Sequence, residues 1–429
     1  MSRKPLCLFL IASLAAILPS VDALAQNAAP ATPRPATQPA ANTPTAQAPP
    51  GSTILRVATF NIQDCRTEDI ADPTNPRLRQ IAEIIQRLRP NVILLNEIAY
   101  DMPGAPAFKP GDEPGQNGQR FADRFLATPQ AAGLKPLKYR AFMASVNTGI
   151  PSGFDLDRNG TIVSEFPNPP ARGNLTEAGR AYGNDCWGFG TFPGQYGMAL
   201  LVDDRLVIDS ENIRTFRLLP WDYMPGAFIP QGVNGTGTWY TADELKVLRL
   251  SSKSHWDVPV RLPDGSRIHF FCSHPTPPAF DGPEKRNARR NHDEIRFWAD
   301  YVGNASYLVD DNDTPGGYTE TVPFIILGDL NADPEKGDSF KSPLKTVLFG
   351  PGNVNTATIP VSDAPLKGLE PSDTAMFKLR VDYVLPSTDL TVLRSGIWTP
   401  AQRETLGPQF PSDHFPVWME IAVPAIKSR

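Results

Sequence analysis

Cysteine is scarce in this sequence, with four in 429 residues. Cys7 lies inside an apolar N-terminal run rather than after a cleavage point, so it is not placed for lipid attachment. Cys65, Cys186 and Cys272 remain, an odd number that leaves at least one without an intrachain partner. The sequence does not choose a pair among them. A disulfide scaffold is excluded, and burial of apolar side chains must hold the core. A basic excess is also missing: 41 Lys and Arg stand against 46 Asp and Glu, for a formal net charge of -5. That argues against a nonspecific nucleic-acid binder, although a nuclease with a local basic groove still fits. Beyond the N-terminus, no stretch is apolar enough to cross a bilayer.

The N-terminus carries an export pattern. Arg3 and Lys4 precede an apolar run at 6–18, broken only by Ser13, and Ala23-Leu24-Ala25 supplies small residues before Gln26. The run is shorter than the roughly 20 residues of a spanning helix, so a cleaved signal is expected rather than a retained anchor. Residues 28–50 are almost wholly Ala, Pro, Thr, Gln and Asn, a composition that buries too little surface to offset chain entropy. The reading is a signal peptide at 1–25, a disordered linker at 26–52 and one domain at 53–425, in a periplasmic or secreted protein.

Residues 54–61 read as a strand, Pro76 opens a helical repeat (Leu78, Ile81, Ile84, Ile85, Leu88) closed by Pro90, and 92–98 reads as a second buried strand. This strand–helix–strand unit marks an α/β domain. Residues 101–194, rich in Gly, Pro and Asn, read as elaborate loops with one short helix near 121–125. Strands are expected at 197–202, 206–212, 246–250, 256–261, 267–272, 324–328, 380–385, 390–395 and 417–423, and a helix at 284–302. Many strands in both directions and few helices suggest two packed sheets flanked by helices.

Polar residues recur where these strands end. Asn61 closes the first, and Glu97 interrupts an apolar run. His274 follows Phe270-Phe271-Cys272-Ser273, and Asp329 and Asn331 follow Phe324-Ile325-Ile326-Leu327-Gly328. Asp382 lies within Val381-Asp382-Tyr383-Val384, and Asp413 and His414 precede Phe415-Pro416-Val417. A carboxylate inside a buried strand costs several kcal/mol unless it is paired or bound to a metal. Each alone reads as a satisfied buried polar group; so many together point to a ligand site at one sheet edge.

In this order, Phe60-Asn61, Leu95-Asn96-Glu97, Ser273-His274-Pro275, Gly328-Asp329-Leu330-Asn331-Ala332-Asp333, Val381-Asp382-Tyr383 and Ser412-Asp413-His414-Phe415-Pro416-Val417 closely resemble the endonuclease/exonuclease/phosphatase superfamily, over residues 54–423. The resemblance implies a DNase I-like α/β (α+β) fold, a four-layer sandwich of two packed mixed β-sheets flanked by helices. It implies hydrolysis of phosphate esters with Mg²⁺ (or Mn²⁺), a hard cation suited to oxygen ligands. Asn61, Glu97 and Asp413 would hold the metal. Asp329 would orient or deprotonate the attacking water, and Asn331 would bond a phosphate oxygen. His414, fixed by Asp382, would bind the phosphate, and His274 would be the general acid. Some relatives carry an acid two positions after the first asparagine. Here that position is Gln63, followed by Asp64, so one metal is expected.

Weaker signals surround this set. Asp155, Asp157 and Asn159, before Gly160, match the first half of a calcium loop, but the twelfth position is Phe166, so an ordinary Asx turn competes with structural Ca²⁺. Arg286, Arg289 and Arg290 are candidates to bind a substrate phosphate, against a solvated helix face. Trp187, Phe189, Phe192 and Tyr196 are a candidate stacking platform, against loop packing. The favoured function is a monomeric, exported phosphoesterase acting on phosphomonoesters or small-molecule phosphoesters. A secreted nuclease is the alternative, lipid cleavage ranks below it, and a non-catalytic binding protein on the same fold would show gaps among the site residues.

Overall fold

The computed structural model describes residues 46–233, 236–399 and 410–425. The export pattern at 1–25 and most of the 26–52 linker lie outside the described residues. In chain order the elements are β1 (Thr53–Cys65), α1 (Thr67–Ala71), α2 (Pro76–Leu88), β2 (Val92–Ile98), α3 (Asn117–Phe121), β3 (Tyr139–Phe142), α4 (Glu177–Asn184), β4 (Met198–Asp203), β5 (Val207–Ile208), β6 (Arg214–Thr215), α5 (Ala242–Val247), β7 (His255–Arg261), β8 (Arg267–Ser273), α6 (Arg286–Val302), β9 (Phe324–Asp329), β10 (Asp382–Pro386), β11 (Thr391–Ile397) and β12 (Val417–Val423).

Local chemistry explains the opening unit. The Asn75 side chain accepts the Leu78 N–H and Pro76 occupies the first helical position, while Arg89 turns left-handed and ends α2. The strands form two mixed sheets, in the orders β11-β12-β1-β2-β4-β3 and β10-β9-β8-β7-β5, with β6 also on β7. The β1–β2 and β8–β9 pairs are parallel and the other pairs antiparallel. One core joins the two sheets, with Phe60, Leu94 and Leu200 from the first and Trp256, Phe270 and Leu327 from the second. Ile81, Ile84 and Ile85 of α2 belong to the same core. A second core sits under α6, where Phe271 and Phe324 meet Trp298 and Tyr301. The result is the helix–sheet–sheet–helix sandwich expected from the sequence.

Three local expectations are corrected. Residues 246–250 alternate like a strand, but Thr241 caps the Glu244 N–H and Glu244 reaches back to the Thr241 N–H, so this capping box makes the helix α5 instead. The strand expected at 206–212 shrinks to β5 followed by a 3-10 turn at Ser210–Asn212. Within 101–194, β3 and α4 are additions; β3 is held as an edge strand by pairing with β4, a long-range contact that its own pattern does not announce. Cys65, Cys186 and Cys272 are all buried free thiols. Among the described residues no helix is long and apolar enough to cross a membrane.

Candidate active site

The C-terminal ends of β1, β2, β8 and β9 and the starts of the antiparallel β10 and β12 lie at one end of the sandwich, as the pairings Asn61 with Asn96, Asp382 with Asp329 and Thr59 with Val417 require. Gly328 shows why glycine precedes Asp329. Its φ is 145°, and a Cβ there would fall 2.0 Å from the Ser273 carbonyl oxygen. That close approach brings the end of β9 against the end of β8, and so Asp329 against His274.

Asp329 is the centre of the constellation. Its Oδ2 accepts the Asn61 amide at 3.0 Å and faces His274 Nε2 at 3.5 Å and His414 Nε2 at 3.7 Å. Its Oδ1 accepts the Asn331 backbone N–H at 2.9 Å. The Asn61 amide also donates to Glu97 Oε1 at 3.1 Å, and Glu97 Oε2 accepts the Asp64 N–H at 2.9 Å. His414 Nδ1 lies 2.9 Å from Asp382 Oδ2, and the Ser412 hydroxyl ties the His414 N–H to the Asn61 carbonyl. The Asn331 side chain donates to the Pro275 carbonyl at 3.0 Å. Glu97 and Asn331 both hold left-handed backbones, with φ of 64° and 52°, a strain characteristic of functional positions. Asp413 stands next to His414, half-buried, within the field of Glu97 and Asp329. Seven of the eight residues singled out at strand ends are therefore linked by hydrogen bonds or close contacts, and Asp413 adjoins them in sequence at His414.

The electrostatics assign protonation states. Burial alone would raise the Asp329 carboxyl, but His414, His274 and the Asn61 amide outweigh it and hold it well below the usual carboxylate range. Burial would lower His414, yet the Asp382 and Asp329 carboxylates raise it, so its ring stays cationic at neutral pH. Burial pushes Asp382 upward despite His414. His274 is lowered, first by burial and then by the charge of Lys253.

The donor set suits a hard cation. Glu97 and Asp413 are carboxylates with no lysine or arginine at ion-pairing distance among the described residues, while Asn61 turns its NH₂ to Glu97 and accepts the Gln63 N–H through Oδ1. Burial raises Asp413; the charge of His414 opposes this and that of Glu97 adds to it. Asp329, Asp382 and His414 also bring ligand atoms within 4.8 Å of one another. His414 Nδ1 is already committed to Asp382, however, so that trio is better read as a hydrogen-bonded relay. The Asp64 carboxylate pairs with Arg66 at 2.7 Å and accepts from the Gln195 side chain.

Lys253 is a member of the site that the sequence reading passed over. It is 5% exposed, its Nζ has one long hydrogen bond, 3.4 Å to the Pro275 carbonyl, and it feels the charges of Glu294, Glu97 and Asp329. Burial lowers its pKa. An ammonium with three donors and one weak acceptor beside His274 is placed to face an incoming phosphate. The only signal was its setting in Ser251-Ser252-Lys253-Ser254, a small polar run before β7. Lys253→Met is expected to lower kcat/KM about 10²-fold while leaving the melting temperature unchanged or higher, because the desolvated charge is gone. Steady-state kinetics beside thermal unfolding checks both signs.

The arginines point elsewhere. Arg290 donates to the carbonyls of Arg249, Leu250 and Ser251, and Arg286 to the Leu156 carbonyl and the Asn184 side chain. Arg289 stacks on Phe340 at 4.7 Å. None of the three is bonded to the Asp329 group. Of the aromatics, Phe192 is buried under Arg66, Tyr196 is half-buried, Trp187 lies beneath Arg249 and Phe189 is exposed. In the 155–160 loop, Asp155 accepts the Asn159 and Gly160 N–H groups. Asp185, buried and distant in sequence, joins Asp155 and Asp157 with ligand atoms within 4.8 Å of one another.

The sequence model described as "Endonuclease/Exonuclease/phosphatase family" matches residues 58–414. Similar solved structures include an endonuclease/exonuclease/phosphatase from Beutenbergia cavernae DSM 12333, with 17% identity, covering 86% of this chain and 72% of that one, at a TM-score of 0.47. The human Nocturnin catalytic domain with bound sulfate has 16% identity, with 86% and 95% covered, at 0.43. A mannosyl-6-phosphatase from Bacteroides thetaiotaomicron VPI-5482 has 13% identity, with 86% and 99% covered, at 0.44. No curated protein sequence matches the chain.

Proposed function

Because the chain belongs to the endonuclease/exonuclease/phosphatase family of metal-dependent phosphoester hydrolases, we propose that it is an exported enzyme whose substrate is a phosphomonoester or other small-molecule phosphoester. The observation that carries this reading is a single ionised carboxylate, Asp329, held between two imidazoles and an amide that also touches Glu97. Asp329 is the base that orients and deprotonates the attacking water. His414, cationic and aligned by Asp382, and Lys253 face the phosphate oxygens, where charge grows during phosphoryl transfer. His274, neutral, donates a hydrogen bond. Asn331 keeps one amide N–H for the phosphate beside the one given to Pro275. Glu97, Asn61 and Asp413 hold one Mg²⁺ or Mn²⁺, which supplies neutralisation of the phosphate's negative charge. The acidic net charge of -5 and the N-terminal export pattern support a small phosphoester outside the cytoplasm over a polyanion.

The test is hydrolysis of 4-nitrophenyl phosphate and bis(4-nitrophenyl) phosphate, each with Mg²⁺ and with chelator. The monoester should be turned over faster, and chelator should abolish it. Nicking of plasmid DNA at trace enzyme, with monoesters untouched, would replace this reading by the nuclease.

Asp155, Asp157 and Asn159, closed by Asp185 in place of the missing twelfth residue, form a loop for one structural Ca²⁺. Burial, with Asp157 and Asp155 adding to it, raises Asp185, and a cation would relieve that repulsion. At free Ca²⁺ about tenfold above its dissociation constant the stabilisation is about 1.4 kcal/mol, or a rise in melting temperature of about 2 °C. Calorimetry in Ca²⁺ against EGTA measures it, and Asp157→Ala should remove the response. An equal response to Mg²⁺ would reject the assignment.

A further inference from the structure

Beyond the reacting centre, the active end of the second sheet carries cations without counter-ions. Arg249 donates one hydrogen bond, from Nη1 to the Leu218 carbonyl at 2.8 Å, and lies 5.0 Å over the Trp187 ring. Its Nε and the indole Nε1 of Trp187 are both buried without an acceptor. Arg217 makes only a 3.5 Å contact to the Asn147 side chain through its guanidinium. Among the described residues, no carboxylate lies at ion-pairing distance from either arginine. The acid whose charge reaches Arg249, Asp311, already accepts the Thr215 hydroxyl and the Arg217 and Leu218 N–H groups. Burial, and then the neighbouring Arg217, disfavour the charge on Arg249. Two half-buried like charges beside orphaned donors are costly alone and complementary to an oxyanion.

The fold ties this cluster to the catalytic group. His255 pairs with Ser273, so the chain before β7 leaves the sheet at the same end as His274. The Asn147 amide donates to the carbonyls of Arg217 and Ser251, and its N–H donates to that of Lys253. Gly188, next to Trp187, packs so tightly on this segment that a Cβ would fall 1.9 Å from the Ser252 carbonyl oxygen. Arg290 fixes the backbone of 249–251 from the other side. Arg217, Arg249 and Trp187 are thus held rigidly to the strand entry that carries Lys253.

We infer that Arg217 and Arg249, the latter stacked on Trp187, form a second anion subsite, which takes a phosphate of the substrate other than the one being cleaved. The inference rests on the phosphoester reading of the Asp329 site and narrows it to substrates with at least two phosphates. The two guanidinium groups bind the oxyanion through their exposed N–H edges.

The test compares thymidine 5′-monophosphate with 5′-phosphorylated thymidine di- and tetranucleotides, which place added phosphates at increasing distance. Wild type, Arg249→Gln, the Arg217→Gln/Arg249→Gln double variant and Arg249→Lys are assayed with Mg²⁺. Wild-type kcat/KM should rise at least tenfold on one of the longer substrates, through KM. The double variant should bring that ratio to within about twofold of one, with Arg249→Lys intermediate. No rise in wild type, or equal losses on short and long substrates, would overturn the subsite. If wild type cleaves neither these nor 4-nitrophenyl phosphate, the phosphoester reading falls. The subsite is then judged by titration calorimetry of the tetranucleotide, where equal or absent binding in wild type and double variant rejects it.

Discussion

Asp329→Asn should reduce kcat on a phosphomonoester by between about 10² and 10⁴, the range for loss of a positioned general base. The reasoning runs from the local bonds. Asp329 accepts from the Asn61 amide through Oδ2 and from the Asn331 N–H through Oδ1, so an amide in its place must turn its own NH₂ toward one of two donors. That conflict costs about 1–3 kcal/mol of stability, too little to unfold a domain of this size. The activity loss should therefore appear in a folded protein with a modestly lower melting temperature. The pH dependence separates the two effects. The folded pKa of Asp329 is depressed, so its ionisation contributes stability above the unfolded value and loses that contribution only as pH falls through the folded one. Between about pH 5 and 9 the wild-type carboxylate is already charged, and the ratio of wild-type to variant kcat should be flat across that window. A ratio that collapses toward one near pH 6 would assign the base to another group.

The strand-end residues were legible because a charge inside an apolar run is expensive. Glu97 within 92–98 and Asp382 within 381–384 advertise a compensating partner before any partner is known. Helix α2 was legible because Pro76 and Pro90 punctuate it; its Asn75 cap came from the structure. What escaped depends on contacts distant in sequence. Lys253 is remarkable only after the loops at 147 and 275 close over it, and Asp185 reaches the 155–159 loop only through α4. The residues at 246–250 show the limit of periodicity: they alternate, yet the capping box upstream makes a helix of their first half. The arginines of α6 were read from their spacing, but direction around the helix matters more, and Arg290 turns inward to hold a backbone.

The second large effect concerns Glu97. Glu97→Ala should lower activity by about 4 kcal/mol of transition-state stabilisation, roughly 10³-fold, and Mn²⁺ or Mg²⁺ binding followed by calorimetry should be lost with it. The stability of the variant gives an independent sign. Burial holds Asp413 above its ordinary value, with His414 opposing it and Glu97 adding to it. Removing Glu97 relieves that strain, at the cost of the hydrogen bonds from the Asn61 amide and the Asp64 N–H. The two effects have opposite signs, so metal-free wild type and variant should melt close together. Adding Mg²⁺ should then raise the melting temperature of wild type alone, since a ligand stabilises only the state that binds it. The left-handed backbone at 97 is strained for alanine as for glutamate, so it does not bias the comparison. Wild-type turnover in Glu97→Ala, or an equal Mg²⁺ response in both proteins, would move the metal away from Glu97 and leave Asp329, Asp382 and His414 as the remaining cluster able to hold it at this end of the sandwich.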